Sequence, residues 1–248
     1  MRKFGPWEIE CDLADGARIG RLRYAGVDLL TAAPATFRPP TKDYGRHETR
    51  PVYGYDDCFP TVETCDDWPD HGELCWLKWT GSETECSVRS QRMPVTFTRR
   101  LEFSERALMW SFRATNDGDR ALPVQHVMHP LMPLDDIAKI ELPALTKNLV
   151  ALPRGSAEML YVTDLREGRF AVRYRQGLRL TVTFSRELFP TIAIWWNNSG
   201  YPDEEGCRRN ECAFDPAPGK ITRLADGTTM RLPARGWLDW QVKWEVAR

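Results

Sequence analysis

Histidine is scarce in this chain, because only four of its 248 residues are His. Neither sign of charge is in excess, since 34 basic residues stand against 35 acidic ones and give a formal net charge of -1 at pH 7. A nucleic-acid binder needs a surplus of Lys and Arg to neutralise phosphates, so this balance argues against that class. It also argues against a polybasic surface that would bind anionic lipids.

Long apolar runs are missing as well. No stretch approaches the roughly 18 apolar residues of a membrane-spanning helix. The N-terminus begins with Arg2 and Lys3, but Pro6 and the acids that follow it interrupt any signal-peptide core. We therefore expect a cytoplasmic protein that has no membrane partner.

Motifs for several common chemistries are also absent. The chain has seven cysteines, an odd number, and none of them forms a Cys-x-x-Cys motif. Reduced thiols are expected rather than a disulfide framework, and a zinc ribbon or redox pair has no support. No Gly-x-Ser-x-Gly motif or glycine-rich phosphate loop is present, so neither serine-hydrolase chemistry nor nucleotide binding is indicated.

The pattern that is present is an alternation of apolar and polar residues. It is clearest near the C-terminus, where Leu238, Trp240, Val242, Trp244 and Val246 alternate with polar side chains. A period of two is typical of half-buried antiparallel strands. Four further segments alternate in the same way: 95–103, 108–114, 170–174 and 178–184.

Turn signals separate these segments. Asn116-Asp117-Gly118-Asp119 and Glu167-Gly168 are typical of hairpin turns, and 18 prolines and 17 glycines are spread along the chain. Only residues 135–142 suggest a helix, and a short one. With 42% apolar residues and no linker-like break in composition, residues 1–248 are predicted to form a single all-β domain, a large antiparallel β-sandwich.

One pair of carboxylates is singled out by its spacing. Glu211 and Asp215 lie four residues apart, so both point to the same face if this segment is a strand. Two acids on one strand face are most often a solvated surface. Here Trp195-Trp196 and Asn197 precede them, so both acids are candidates for catalysis and Asn197 is a candidate substrate contact.

His126 and His129, with two aspartates shortly after them, could be considered a metal-ligand cluster. Their spacing is not the i, i+4 spacing of a helical zinc site, and on a strand they would face opposite sides. We therefore expect no bound metal, and we expect His126 to pack in the interior or to face away from His129.

Six segments, taken in order, are similar to segments of one known superfamily. They are Gly54–Thr61, Asp70–Glu73 with Trp79 after it, Asn116–Pro130, Ile194–Asn197, Phe214–Gly219 and Gly236–Trp240. The third leads from an Asn-Asp-Gly-Asp turn through Leu-Pro-Val to His-Pro, and the fifth has Asp-Pro-Ala-Pro-Gly where the superfamily has Glu-Pro-x-x-Gly. Together they resemble the galactose mutarotase-like superfamily, which includes the aldose 1-epimerases, and they span about residues 54 to 246.

The resemblance implies a many-stranded β-sandwich that holds a sugar in a cleft on its concave face. In such proteins a histidine donates a proton to the sugar ring oxygen, and a glutamate removes the proton from the anomeric hydroxyl. The ring opens, the aldehyde rotates, and the ring closes again as the other anomer. No cofactor is required, and the implied partner is a small-molecule sugar.

The resemblance also assigns roles to individual residues. His129 matches the histidine that protonates the ring oxygen, and His71 matches the second histidine, which binds and orients the substrate. Asp56 and Asp57 lie where relatives carry polar sugar contacts. Trp196 is expected to stack on the apolar face of the sugar, although alternation along a strand puts one of the two adjacent tryptophans in the core.

The sequence departs from the superfamily at the catalytic base, where Asp215 stands in place of Glu. Aspartate is one methylene shorter, which removes about 1.5 Å of reach, and a base must come within ~3 Å of its proton. Three possibilities stay open: a reshaped cleft, Glu211 as the base, or a protein that no longer catalyses the reaction. Of the two acids, Asp215 is the preferred base.

Two basic positions are further candidates. Arg46 precedes the Phe-Pro-Thr segment, as an arginine that binds sugar hydroxyls does in many relatives, although the spacing differs. Arg208-Arg209 could bind a sugar phosphate. In both places a solvated loop is the commoner interpretation.

The leading hypothesis is an aldose 1-epimerase-like isomerase that interconverts the anomers of a free monosaccharide. The alternatives are a carbohydrate-binding protein of the same fold without catalysis, and an epimerase of sugar phosphates. The sequence leaves open which sugar is bound and whether the protein is a monomer or a homodimer.

Overall fold

The computed structural model describes residues 1–37, 49–65, 67–201, 209–220, 224 and 230–248. Within these ranges it contains twenty strands in four sheets, and the pairings between them are antiparallel. Helical structure in the same ranges is limited to short 3-10 turns, among them Leu74–Trp76, Leu134–Asp136 and Leu149–Ala151. In this part of the chain no helix has the length and apolar character that crossing a membrane requires.

The largest sheet has eight strands. From edge to edge their order is β13 (Ile137–Glu141), β15 (Arg169–Tyr174), β16 (Arg179–Phe184), β20 (Gly236–Ala247), β9 (Ala107–Asn116), β8 (Val95–Phe103), β7 (Glu85–Arg89) and β6 (Thr80–Gly81). The segments with the clearest alternation form its central strands. Their apolar side chains, such as Phe97, Trp110 and Trp244, are buried in the core because side chains alternate along a strand.

A second sheet of six strands contributes to the same core. Its order is β1 (Arg2–Phe4), β2 (Trp7–Asp12), β3 (Arg18–Tyr24), β5 (Tyr55–Cys58) and β11 (Val127–Pro130), with β4 (Val27–Asp28) paired to β3. Trp7 and Ile19 from this sheet are in one apolar cluster with Trp110 and Trp244 of the first sheet. The predicted all-β sandwich is therefore confirmed.

The remaining strands form two smaller sheets. The four-stranded sheet has the order β12 (Met132–Pro133), β18 (Asn210–Ala217), β17 (Thr191–Asn198) and β14 (Ser156–Val162), and β10 (Leu122–Val124) pairs with β19 (Met230–Leu232). The chain passes from β11 through Leu131 into β12, and β11 packs beside β18. This junction between two sheets positions the site described below.

One local prediction is wrong, because residues 135–142 do not form a helix. Leu134–Asp136 is a 3-10 turn, and Ile137–Glu141 is the edge strand β13, which pairs with β15. Eight residues are too few for a helix that is stable on its own, and pairing satisfies the backbone hydrogen bonds along β15 that would otherwise be open.

The cysteines that the structure describes are free thiols: Cys11, Cys58, Cys65, Cys75, Cys86 and Cys212. This agrees with the expected reduced state for these six positions. Cys207 lies outside the described residues.

Candidate active site

A cleft of about 490 Å³ opens over β11, β18, β17 and β14. Strand residues line one side of it, and the chain between β5 and β6 supplies the other side, including Glu63, Asp70 and His71. Strand pairing fixes the backbone positions of the first set of residues, and the loop between β5 and β6 brings the second set to the same cleft. Such a combination is a common way to build a binding site on a β-sandwich.

His129 and Asp215 form a buried ion pair in the wall of this cleft. Nδ1 of His129 on β11 donates to Oδ2 of Asp215 on β18 over 2.9 Å, and only 12% and 4% of the two side chains are exposed. Burial alone lowers the pKa of His129, but the charge and hydrogen bond of Asp215 outweigh this, with help from Asp56 and Glu211, so the pKa is raised. The protonated imidazolium is therefore favoured.

Asp215 is perturbed in a matching way. Burial raises its pKa, and the charge and hydrogen bond of His129 oppose this rise without cancelling it. Oδ2 accepts from His129, whereas Oδ1 is buried and has no hydrogen-bond partner among the described residues. A buried acceptor without a donor is costly, so Oδ1 is the oxygen of this carboxylate that can still accept a hydrogen bond.

A second histidine faces the first. The ring centroids of His71 and His129 are 5.0 Å apart, with 55° between the ring planes, and Nδ1 of His71 lies 3.3 Å from Oδ1 of Asp70. His71 has φ 62° and Gly72 has φ 69°, both in the left-handed region. A Cβ at Gly72 would collide with the carbonyl oxygen of Phe59, so this turn requires glycine and holds His71 over His129.

Two acids at this end of the cleft were not found from the sequence. Asp70 stands in the His-Gly motif, but nothing in the sequence indicates that it pairs with His71. Glu63 has no signal at all, because loop residues lack periodicity; it accepts a hydrogen bond from the hydroxyl of Tyr161 over 3.3 Å. Burial, together with Asp70, raises the pKa of Glu63, and burial together with Glu63 raises the pKa of Tyr161 to about 12.

Glu211 lies on the same face of β18 as Asp215, as their spacing predicts, and both line the cleft. Its Oε1 accepts from Nε1 of Trp195 over 3.2 Å and from Nδ2 of Asn197 over 3.5 Å, and Nε of Arg209 lies 3.4 Å away. Four residues of strand separate the α-carbons of the two acids by roughly 13 Å. The two acids therefore enter the cleft from separate positions along β18.

Asp57 is not in the cleft, which corrects its expected role as a sugar contact. Its side chain is fully buried, and it pairs with Arg99 over 2.6 Å and with Nε2 of His126 over 3.1 Å. Burial favours a raised pKa for Asp57, but Arg99, His126 and Tyr55 outweigh it and the pKa is lowered. Asp57 is thus the centre of a buried polar network in the core.

Asp56 is close to the site but does not line it. It is the cross-strand neighbour of His129, and its carboxylate lies 3.5 Å from Nη1 of Arg18 and 3.2 Å from Nη1 of Arg50. Only 4% of Asp56 is exposed. The expectation of a sugar contact is corrected here too: the charge of Asp56 acts through His129, whose pKa it helps to raise.

The two adjacent tryptophans divide between core and cleft, but in the opposite sense to the prediction. Trp196 is 1% exposed and packs in the apolar core, whereas Trp195 lines the cleft. Trp195 pairs with Ala213 on β18, so it shares the face of Glu211 and Asp215. Trp195 is therefore the tryptophan that can contact a ligand.

Asn197 contributes to the site indirectly. Its side chain is fully buried, and its Oδ1 accepts the backbone N–H groups of Gly200 over 3.0 Å and of Tyr201 over 2.9 Å. It holds the turn after β17 and faces Glu211, which corrects its expected role as a direct substrate contact. The candidate Arg46 lies outside the described residues.

The side chain of His126 is buried in the core and does not line the cleft. Nε1 of Trp240 donates to its Nδ1 over 3.1 Å, and burial lowers its pKa against the opposing effect of Asp57. This is the position expected for a histidine that faces away from His129. Within the described ranges, no group of three or more His, Cys, Asp or Glu side chains has the arrangement of a metal site.

Solved structures of other proteins share this architecture, whereas comparisons of sequence find no match. No protein-family model and no curated protein matches the chain. Solved structures do match. A protein of Synechocystis sp. PCC 6803 superposes with a TM-score of 0.75 at 15% identity, over 98% of this chain and 92% of its own.

Two further structures carry functional descriptions. A provisionally assigned aldose 1-epimerase of Escherichia coli K12 gives a TM-score of 0.69 at 14% identity, over 98% of this chain and 96% of its own. A galactose mutarotase-like protein of Lactobacillus casei ATCC 334 gives a TM-score of 0.69 at 13% identity, over 99% of this chain and 98% of its own. At such identities the likeness establishes the fold alone. The chain has the galactose mutarotase-like fold, and the resemblance of its sequence motifs is confirmed at that level.

Proposed function

We propose that this protein is an aldose 1-epimerase-like isomerase, which opens and recloses the ring of a free monosaccharide and so interconverts its anomers. The observation that carries the proposal is the buried His129–Asp215 ion pair in the wall of the cleft. It provides a proton donor and a proton acceptor in contact with each other. The fold, shared with structures described as galactose mutarotase-like, supports the same reaction class.

His129 is the acid of the proposed reaction. Asp215 engages its Nδ1, so Nε2 is the nitrogen that can donate to the sugar ring oxygen. Asp215 also raises the pKa of His129 and so favours the imidazolium, the form that an acid must have. His71, whose ring lies 5.0 Å from that of His129 between centroids, binds a neighbouring hydroxyl and orients the ring.

Asp215 is the base. The ring oxygen and the anomeric hydroxyl oxygen are bonded to the same carbon and lie only about 2.3 Å apart, given two bonds of about 1.4 Å. The acid and the base must therefore act at one place. Asp215 is in contact with His129, whereas the α-carbon of Glu211 is roughly 13 Å further along β18. The raised pKa of Asp215 also makes it a stronger base than an exposed aspartate.

The protons balance over the cycle. His129 gives its Nε2 proton to the ring oxygen, the carboxylate of Asp215 takes the proton of the anomeric hydroxyl, and the bond between the anomeric carbon and the ring oxygen breaks. After rotation of the aldehyde, Asp215 returns its proton to the aldehyde oxygen and the ring hydroxyl returns its proton to His129 as the ring closes. The pair is charged at the start, neutral in the open-chain state, and charged again at the end.

Saturation-transfer NMR on a panel of free aldoses and their 6-phosphates tests this proposal. The wild type is expected to accelerate anomer exchange of at least one free aldose, and His129→Gln is expected to lose at least about 100-fold of the rate because the acid is gone. Circular dichroism of the variant controls for folding. Full activity in His129→Gln would refute the mechanism. Acceleration of the 6-phosphates alone would favour an epimerase of sugar phosphates, and binding without acceleration would favour a carbohydrate-binding protein.

A further inference from the structure

We propose that Arg50 is a positioning residue of the proposed reaction. By holding the carboxylate of Asp56, it limits the negative charge that acts on His129, and it so sets the pH range over which His129 donates its proton. The inference rests on the proposed function, because that function makes His129 the acid. It goes beyond it by assigning a role to a buried arginine that is not among the residues that line the cleft.

The first step of the argument is the position of Asp56 beside His129. The two residues are directly opposite each other on β5 and β11. Such cross-strand side chains share one face of the sheet, with Cβ atoms about 4.5–5.5 Å apart. Burial lowers the pKa of His129, and the charge of Asp215, followed by that of Asp56, raises it. Asp56 is therefore a second source of negative charge for the proposed acid.

The second step is the way in which Asp56 is held. Its Oδ1 accepts from Nη1 of Arg50 over 3.2 Å, and its Oδ2 lies 3.5 Å from Nη1 of Arg18. Both arginines also pair with Asp15, Arg18 through Nε over 2.6 Å and Arg50 through Nη2. Two arginines and two aspartates balance to zero charge. Loss of one arginine therefore leaves an uncompensated negative charge in the cluster beside His129.

Arg50 is the member of the cluster whose removal disturbs the sheet least. Arg18 is on β3, where its Nη1 donates to the carbonyl oxygen of Tyr53 over 2.9 Å and its guanidinium lies 4.4 Å from the centroid of the Tyr53 ring. Arg50 lies outside the strands and contacts β5 through Asp56. Burial lowers the pKa of Arg50, but the neighbouring negative charges, chiefly Asp56, outweigh it, so this arginine stays charged.

The third step is the need of an acid catalyst for an intermediate proton affinity. With too little negative charge nearby the imidazole is neutral at the working pH, and with too much it holds its proton too tightly to protonate a sugar. Asp215 and Asp56 act in one direction, and Arg50 limits the effect of Asp56. The other titratable groups near the pair of His129 and Asp215 are Glu211 on β18, Asp70 and His71 on the loop, and Cys58 on β5, whose thiol burial keeps neutral.

The test is an NMR titration of the His129 side chain in histidine-labelled protein. Arg50→Gln is expected to raise the pKa of His129 by about one unit, because the charge of Asp56 is no longer compensated. Arg50→Lys keeps the cation and is expected to restore most of the wild-type value. Asp56→Asn is expected to lower the pKa, and the double variant is expected to lie between the two single ones. No shift in Arg50→Gln, or a shift in the same direction in both single variants, would overturn the inference.

Two further variants control for folding. Asp15→Asn changes a side chain that is 42% exposed and leaves the cluster with a net positive charge. It is expected to lower the pKa of His129, so the sign of the effect is tested even if Arg50→Gln folds poorly, and a rise would contradict the charge balance. Arg113→Gln is the matched control, because Arg113 is largely exposed and is not among the residues that line the cleft. Its titration should match that of the wild type.

Anomer exchange separates this inference from the proposed function. Because the imidazolium is the acid, the rate falls as the pH rises through the pKa of His129, and this fall should occur at higher pH in Arg50→Gln. The expected NMR shifts without exchange of any sugar would support the role of Arg50 in setting the charge on His129, and only the proposed function would fail. Exchange with an unshifted His129 in Arg50→Gln would overturn the inference and leave the proposed function standing.

Discussion

The substitution Asp215→Asn removes one negative charge beside His129 while keeping the size of the side chain. In the proposed mechanism Asp215 must be ionised and His129 protonated. The rate of anomer exchange therefore rises with pH through the pKa of Asp215 and falls as the pH increases through the pKa of His129. Because Asp215 raises the pKa of His129, its loss moves the falling limb to lower pH. The rising limb that reports Asp215 disappears.

The size of the effect follows from the geometry of the pair. Two unit charges about 4 Å apart attract each other by about 4 kcal/mol at an effective dielectric constant near 20. Both side chains are almost fully buried, so solvent screens this attraction little. Each ~1.4 kcal/mol is a tenfold change in an equilibrium, so the imidazolium becomes a minor form of the variant at neutral pH. With the base also lost, kcat/KM at neutral pH is expected to fall by at least about 100-fold.

The assay is the pH dependence of kcat/KM for anomer exchange, measured from about pH 5 to pH 9, where a histidine titrates. Asp239→Asn is the matched control, because Asp239 pairs with Arg113 and half of its side chain is exposed; its profile should match that of the wild type. A falling limb at the same pH in Asp215→Asn and in the wild type would refute the proposed coupling. Wild-type activity at neutral pH in Asp215→Asn would show that Asp215 is not the base.

Three other outcomes are expected. His71→Asn should weaken sugar binding by about tenfold through the loss of one hydrogen bond with little change in the free energy of unfolding; an unchanged calorimetric affinity would remove His71 from the site. Arg99→Met leaves the buried carboxylate of Asp57 without its main partner and should lower the free energy of unfolding by about 3–5 kcal/mol in urea titrations, and a loss near zero would contradict this. The pKa of Asp57 is lowered in the folded state, so its stabilising contribution is present above the pKa of the unfolded carboxyl and is lost as the pH falls through the folded pKa. Acid unfolding of Arg99→Met, followed by tryptophan fluorescence, should therefore occur at higher pH than that of the wild type, and an unshifted midpoint would argue against the pairing.

The strands could be predicted because burial on one face leaves a period of two in the sequence. Strand β20, with Trp240 and Trp244 pointing inward, shows this period most clearly. The same logic explains why Glu211 and Asp215 share one face and why His126 and His129 do not. Residues 137–141 were misassigned because their pairing with β15 is a tertiary interaction that leaves little local signal.

Some site assignments could not be made from the sequence. Alternation along a strand shows that adjacent side chains point to opposite faces of the sheet, but it does not show which of the two faces the cleft. That choice for Trp195 and Trp196 depends on the register with β18. Asp57 could not be distinguished from a cleft residue because its partner Arg99 is 42 positions away in the sequence. The contact between His129 and Asp215, 86 positions apart, likewise exists only because two sheets meet at β11 and β18.

A ¹⁵N NMR measurement of the His129 side chain in the wild-type protein at neutral pH, with His129→Gln used to assign its signals, tests the proposed pairing directly. In the proposed mechanism Asp215 holds this imidazole in its protonated, proton-donating form. Both ring nitrogens are expected to carry a proton, with Nδ1–H bonded to Asp215, and the signals are expected to remain those of an imidazolium as the pH rises past the usual range of histidine. A spectrum with one unprotonated ring nitrogen at neutral pH would contradict this role of Asp215.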